Sequence, residues 1–319
     1  MTQSNAPEDP TDAARTRLVG TSYAFLAYLL WGFLPLYFLL LKPTGAWEVV
    51  AWRILLSLVF CAFLIAVTRS WQRFRAIIAQ KRLLMWTAVA GALIYVNWQV
   101  FLLATLTGHV IETSLGYFIN PIVTVLLGVL VLRERLRVTQ WVAISLAAVA
   151  VIVIMVGYGT FPWIALLLAF SFGFYSLVKK RIGPAVDAVS GLTLESFWLA
   201  PVAIVQLIVV GATTGITIAS AGLGHGILLA LAGVATAVPL LLFASGARRV
   251  SLTTLGIMQF IAPIMQFMIG AWLLGEPMPL ERWIGFGIVW VALIVLTIDS
   301  VRAARRGRRM VVSDVTELT

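Results

Sequence analysis

The chain has 319 residues, of which 61% are hydrophobic and 11% charged, with a mean hydropathy of +1.01. A soluble domain carries roughly 25% charged residues, so this composition excludes one and points to a bilayer. The formal charge of +10 does not argue for nucleic acid, because the basic residues fall in alternate loops and not on one patch.

Residues 1–17 form a polar tail, acidic at Glu8, Asp9 and Asp12 and without an apolar run. It reads as disordered and not as a signal peptide. Ten apolar stretches follow, near 18–41, 46–68, 83–106, 110–132, 138–157, 161–178, 189–211, 226–246, 252–275 and 282–299. Each is long enough to cross about 30 Å of hydrocarbon as a helix. Trp47, Trp71, Trp86, Trp141, Trp163, Trp272 and Trp283 fall at or beyond the predicted ends, where indoles anchor at headgroups. Cys61 is the single cysteine, so no disulfide forms within the chain.

Twenty Lys and Arg fall in the tails and loops of one side, two on the other, and Arg53 lies within a span. The positive-inside rule then makes both termini cytoplasmic. Residues 300–319 form a basic cytoplasmic tail.

A repeat organises the chain. A shift of 142 positions lays Pro121 on Pro263, Gly128 on Gly270, Leu132 on Leu274, Glu134 on Glu276 and Trp141 on Trp283 without a gap. The first spans match more weakly, at a shift of 138, through Ala27/Ala165, Tyr37/Tyr175 and Lys42/Lys180. Five spans per copy, 18–157 and 161–299, force the second copy to enter from the opposite side. The expected fold is therefore an all-α polytopic membrane protein of ten helices in two inverted five-helix repeats. Paired proline-interrupted segments in two halves point to a transporter's binding site.

The stretches ETSLGYFINP, ESFWLAP, TAVPLLLF and TTLGIMQFIAP closely resemble the RarD branch of EamA-domain proteins, within the drug/metabolite transporter superfamily. The resemblance runs over nearly all of residues 18–299. It implies ten helices in two inverted EamA repeats, a central cavity and alternating access. The branch takes its name from an association with chloramphenicol sensitivity. Members of the branch typically carry His then Arg in the second span; here the pair is Trp52 and Arg53, which removes a titrating imidazole.

Ionisable groups within a bilayer are costly and mark functional positions. Four qualify: Glu48, Arg53, Glu112 and Glu195. Glu48 reads as an interfacial carboxylate. Arg53 lies about 10 Å deep, where it snorkels, joins an ion pair or holds an anionic group; Glu112 is its expected partner, or else a helix N-terminal acid. Glu195 has no base beside it in sequence and is a candidate proton carrier, or a neutral acid bonded between helices.

Pro121, Pro239 and Pro263 are expected to break their helices, freeing the carbonyls of Tyr117 and Gln259 to face each other, while Thr236 precedes the break at Pro239. Asn97, Trp98 and Gln99 in the third span and Asn120 in the fourth offer amides and an aromatic wall, with Tyr117 and Trp198 joining them. Such amides also serve simply to link helices. The expected substrate-binding set is Asn97, Trp98, Tyr117, Asn120, Trp198, Thr236 and Gln259. Gly128 and Gly270 suggest close helix crossings, and His109 and His225 fall in loops as solvated residues.

One Cys and no His cluster give no metal site, and no phosphate loop supports ATP use; no cofactor is expected. The reading is a multi-pass protein of the cell membrane, a secondary transporter exporting a small amphipathic metabolite or drug, with proton coupling through Glu112 or Glu195 left open. The alternatives are a facilitative carrier, a channel or, least of all, a membrane-embedded enzyme. Expected partners are the lipid bilayer and a small-molecule substrate, with no nucleic acid, in a monomer or homodimer.

Overall fold

In a computed structural model, residues 10–132, 137–158, 161–247, 249–250, 255 and 258–317 are described. The first five long helices are α1 (Pro10–Leu39), α2 (Ala46–Val67), α4 (Lys81–Leu106), α5 (Val110–Leu132) and α6 (Val138–Tyr158), with a short α3 (Trp71–Ile78) between α2 and α4. Then come α7 (Trp163–Ile182), α8 (Ala188–Thr213), the short α9 (Thr217–Ser220) and α10 (Leu223–Ala230), and α11 (Ala232–Ala247). The chain finishes with α12 (Ile261–Met268), a π-helical turn at Ile269–Leu273, and α13 (Leu280–Glu317). Among the described residues eight helical segments are long and apolar enough to cross a membrane, and two shorter apolar ones, Trp163–Lys179 and Ile261–Leu273, accompany them.

The helices are apolar nearly all round, so their outer faces stay uncovered by protein. Phe63, Val156, Ile208 and Trp272 are each more than 60% exposed on long apolar elements, which suits a lipid-facing surface. Burial concentrates on one stripe per helix. In α2 the stripe includes Glu48, Val49, Val50, Ala51, Arg53, Ile54, Ser57 and Cys61, and in α8 it includes Ser190, Gly191, Leu192, Thr193, Glu195, Ser196, Leu199 and Ala203. Every residue in the second set lies 142 positions after its counterpart in the first. The same offset separates the starts of α2 and α8 (Ala46, Ala188), α4 and α10 (Lys81, Leu223) and α6 and α13 (Val138, Leu280).

Packing follows the same correspondence. Helix α2 lies against α8, α6 against α13 and α5 against α12; α1 packs on α11 as α7 packs on α4. Two apolar clusters result, one built by α1, α2, α4, α7 and α8, the other by α5, α6, α12 and α13 with the start of α7.

The expected breaks at Pro121 and Pro239 do not occur. Helix α5 runs through Pro121 and α11 through Pro239, and Pro35 and Pro201 likewise lie inside α1 and α8. A proline costs a helix one hydrogen bond, and neighbouring helices make that loss tolerable at membrane depth. Pro263 falls in the first turn of α12, where a missing N–H has no intrahelical partner to lose. The turn holding Glu134 lies outside the described residues.

Candidate functional site

The site is built around Arg53. Its side chain leaves the buried stripe of α2 and is 4% exposed. The Nε donates to Thr236 Oγ1 of α11 at 2.6 Å, and that hydroxyl in turn donates to the Ala232 carbonyl one turn back. The guanidinium carbon lies 4.2 Å from the centre of the Trp98 ring of α4 and 5.5 Å from that of Phe38 of α1. Four helices thus converge on one cation. The phenols of Tyr37 and Tyr117 are near enough to feel its charge, yet among the described residues Nη1 is buried without a hydrogen-bond partner.

Beside it stands a polar knot of α4, α5 and α7. Asn97 is 2% exposed; its Nδ2 donates to the Leu168 carbonyl and to Ser171 Oγ, both at 3.2 Å, and its Oδ1 accepts from Tyr117 OH at 3.1 Å. The Tyr117 ring also packs against those of Phe101 and Phe172. One turn on, Asn120 Oδ1 is buried close to Gly173 of α7 and, among the described residues, has no hydrogen-bond partner. A second amide pair, Gln206 Nε2 to Gln99 Oε1 at 3.1 Å and to Tyr95 OH at 2.9 Å, ties α8 to α4. Unsatisfied buried polar atoms are rare in native proteins and call for an explanation. Among the described residues such atoms include Arg53 Nη1 on α2, Gln99 Nε2 on α4, Asn120 Oδ1 on α5 and Gln206 Oε1 on α8.

The structure therefore brings together Arg53, Trp98, Thr236, Asn97, Tyr117 and, one turn along α5, Asn120. It does not bring in the rest. Trp198 is 36% exposed and packs on the still more exposed Phe197, because it sits to the side of the α8 stripe through Glu195 and Leu199. Gln259 lies in the turn before α12, where its N–H bonds the Leu255 carbonyl.

The three carboxylates are engaged elsewhere. The expected Arg53–Glu112 pair is absent: Glu112 Oε1 instead meets Arg282 Nη2 of α13 at 3.2 Å. Glu195 is not a lone acid, since Lys179 Nζ of α7 lies 2.7 Å from its Oε1 and Tyr175 OH donates to its Oε2 at 3.1 Å. Lysine 179 is sixteen residues away in sequence, which hid the pair. Glu48 is 1% exposed and lies at a helix end, where its carboxylate accepts from Thr217 N–H at 2.8 Å and Thr217 Oγ1 at 3.0 Å at the start of α9. His225 is not simply solvated either, for its Nε2 bonds Thr44 Oγ1 at 2.6 Å.

The contacts of Glu48, Glu112 and His225 tie one end of the bundle together. At that end Glu276 reaches from the turn after the π-helical segment to the first N–H groups of α5, Val110 at 2.6 Å and Ile111 at 2.9 Å. A carboxylate there satisfies orphan donors and meets the positive end of the helix dipole. Gly270 makes the approach feasible, as a Cβ at that position would stand 2.7 Å from the Ile111 side chain. The opposite end holds Asp299, which accepts from Thr139 Oγ1 at 2.6 Å and faces Arg137 at 3.1 Å.

The offset of 142 pairs Arg53 with Glu195, while Tyr37 and Tyr175 correspond at 138. Each charge lies near its tyrosine. The two halves of the chain thus bury opposite charges at equivalent positions, one with a counter-ion and one, among the described residues, without. Sequence reading missed Tyr37, Ser171, Lys179 and Gln206, whose partners all sit on other helices. An apolar groove of about 510 Å³ between α5, α12 and α13, lined by Phe118, Phe267 and Trp290 among others, opens to the side of the bundle and shares none of these residues.

An all-helical bundle with lipid-facing outer surfaces and a polar, cationic centre defines a polytopic membrane protein of the cell membrane. A sequence profile of the EamA-like transporter family matches residues 18–156. Protein RarD of Streptomyces exfoliatus is 45% identical over 296 residues, covering 93% of each chain. An uncharacterized transporter of Bacillus subtilis, YojE, is 40% identical over 91% of this chain and 97% of its own. A solved crystal structure aligns with a TM-score of 0.58 at 14% identity, over 88% of this chain and 97% of that one, and shows the fold alone. The chain belongs to the RarD family of EamA-like transporters, in the drug/metabolite transporter superfamily.

Proposed function

We propose that this membrane transporter is a secondary carrier working by alternating access around the Arg53–Tyr117–Asn97 centre, with ten crossings arranged as two inverted repeats and both termini cytoplasmic. The observation that carries the reading is the offset of 142 residues, which relates helix starts and the buried stripes of α2 and α8 alike. It supports two copies of one five-helix unit, and an odd unit repeated must insert in opposite senses. Inverted units exchanging conformations give access from each side in turn around a fixed midplane site.

Chemically, the centre offers aromatic faces, a few neutral polar groups and one cation, a composition suited to an amphipathic small molecule. Glu112 and Glu195 each hold a base, so coupling by protonation of either would break an ion pair. Facilitated or substrate-driven exchange fits the geometry better.

The test is counterflow in proteoliposomes loaded with amphenicols, aromatic amino acids or small aromatic acids. Saturable uptake of labelled compound, lost in Tyr117→Ala, is the expected result. Flux that rises linearly with concentration would instead indicate a channel.

A further inference from the structure

The buried charges do not balance at the centre, and the imbalance identifies a chemical group. Glu48 is held by Thr217, Glu112 by Arg282 and Glu195 by Lys179. Arg53 is 4% exposed, and among the described residues its Nε donates to a neutral hydroxyl. A cation in the middle of a membrane protein pairs with an anion or a carbonyl, or lines a wet cavity. Its repeat-equivalent, Glu195, has such a partner at 2.7 Å.

We infer that Arg53 receives the carboxylate of the transported molecule, so that the substrate class is small organic monoanions with a planar apolar body. The inference rests on the carrier reading above and names what that carrier takes.

The geometry fits this class in three ways. First, Arg53 is held before any ligand arrives: Thr236 accepts from Nε and the Trp98 ring lies 4.2 Å from the guanidinium carbon. The buried Nη1 is left as a free donor. A guanidinium presents its donors as a planar fork that matches a carboxylate. Second, the groups around it are neutral hydroxyls, amides and rings, including Thr236, Tyr37, Tyr117 and Asn97. None of these carries a negative charge at neutral pH, so none competes with an incoming anion. Third, the rings of Trp98, Tyr117 and Phe101 supply flat apolar surface within the same cluster. Asn120 Oδ1, an unpartnered acceptor on the same helix as Tyr117, offers a second polar point for a donor on the ligand.

The experiment compares matched acids and amides on purified full-length protein. The probes are 3-phenylpropionate, indole-3-acetate and benzoate, each beside its primary amide, at millimolar concentration, with thermal stability in detergent as the readout. The acids should stabilise wild type and the amides should not. Losing a charged hydrogen-bonded contact should weaken acid binding about 10- to 150-fold in Arg53→Gln, and Arg53→Lys should recover part of it.

Thr236→Val keeps the cation and serves as a second variant: it should bind the acids more weakly than wild type and more tightly than Arg53→Gln. Acids and amides acting alike, Arg53→Gln responding as wild type, or no acid acting at all would each overturn the inference. Amides that bind and lose their effect in Tyr117→Ala would leave the carrier reading standing while refuting the anion.

Discussion

Replacing Lys179 by Met strips the counter-ion from a carboxylate that is 1% exposed. Removing one partner of a buried ion pair costs about 3–5 kcal/mol, because the other charge stays buried and uncompensated. Two features of the structure place this case at the lower end, roughly 3 kcal/mol. Tyr175 OH still donates to the carboxylate at 3.1 Å, and the Lys179 side chain is 28% exposed, so the pair is already partly solvated. Glu195→Gln should cost less, about 1 kcal/mol, since an amide oxygen can keep the Tyr175 bond and the freed ammonium can reach solvent. In the double variant no buried charge is stranded, and its cost should resemble that of Glu195→Gln alone. The coupling is then about 2–3 kcal/mol, measurable by equilibrium unfolding in mixed micelles of dodecyl maltoside and SDS. Costs that add to within about 0.5 kcal/mol would mean that the pair is not formed, and the lone acid inferred from sequence would return as a proton carrier.

Glu276→Ala should lower stability by about 2–5 kcal/mol, leaving two orphan N–H groups at the start of α5, as read from unfolding in the same micelles. Burial raises the Glu276 carboxyl above its ordinary 4.5, against the opposing pull of the Ile111 and Val110 N–H groups and the charges of Arg282 and His109. A carboxyl raised in the folded state stabilises fully below its unfolded value and loses that contribution as pH rises through the folded one. Wild type should therefore lose stability relative to Glu276→Gln as the acidic range is crossed upward; a gain would reverse the sign.

Gly270→Ala should cost about 1–3 kcal/mol through overpacking, since the new methyl meets Ile111 at 2.7 Å; an unchanged melting temperature would show that the π-helical turn has room. Asn97→Leu should unlink α4 from α7 and leave Tyr117 OH without its acceptor. About 2–4 kcal/mol is at stake, and counterflow should fall with it.

Periodicity and repetition made the helical architecture legible in the sequence. The 142-residue offset is visible at Pro121/Pro263 and Trp141/Trp283, and it recurs in the starts of α2 and α8. Depth also singled out Arg53, Asn97, Trp98 and Tyr117, which the structure brings together, because polar residues inside apolar spans are costly.

Pairing was not legible. Glu112 and Arg282 are separated by 170 residues and Arg53 and Thr236 by 183, and nothing local encodes such contacts. Rotation about the helix axis was lost too: Trp198 and Leu199 are neighbours in sequence, yet one faces outward and the other is buried. Proline was over-read, since α5 and α11 carry Pro121 and Pro239 without interruption.

The most direct test of alternating access is the reach of a membrane-impermeant maleimide to a cysteine at the centre. Ser171→Cys, next to Asn97, would be made in a chain with Cys61→Ala and reconstituted with known orientation. A cysteine pair, Thr44→Cys with Thr217→Cys, occupies positions whose hydroxyls touch at the Glu48 end and can be cross-linked. The account predicts labelling from both faces in the open chain, and from only the opposite face once the pair is cross-linked. Labelling from neither face, or from both after cross-linking, would contradict it.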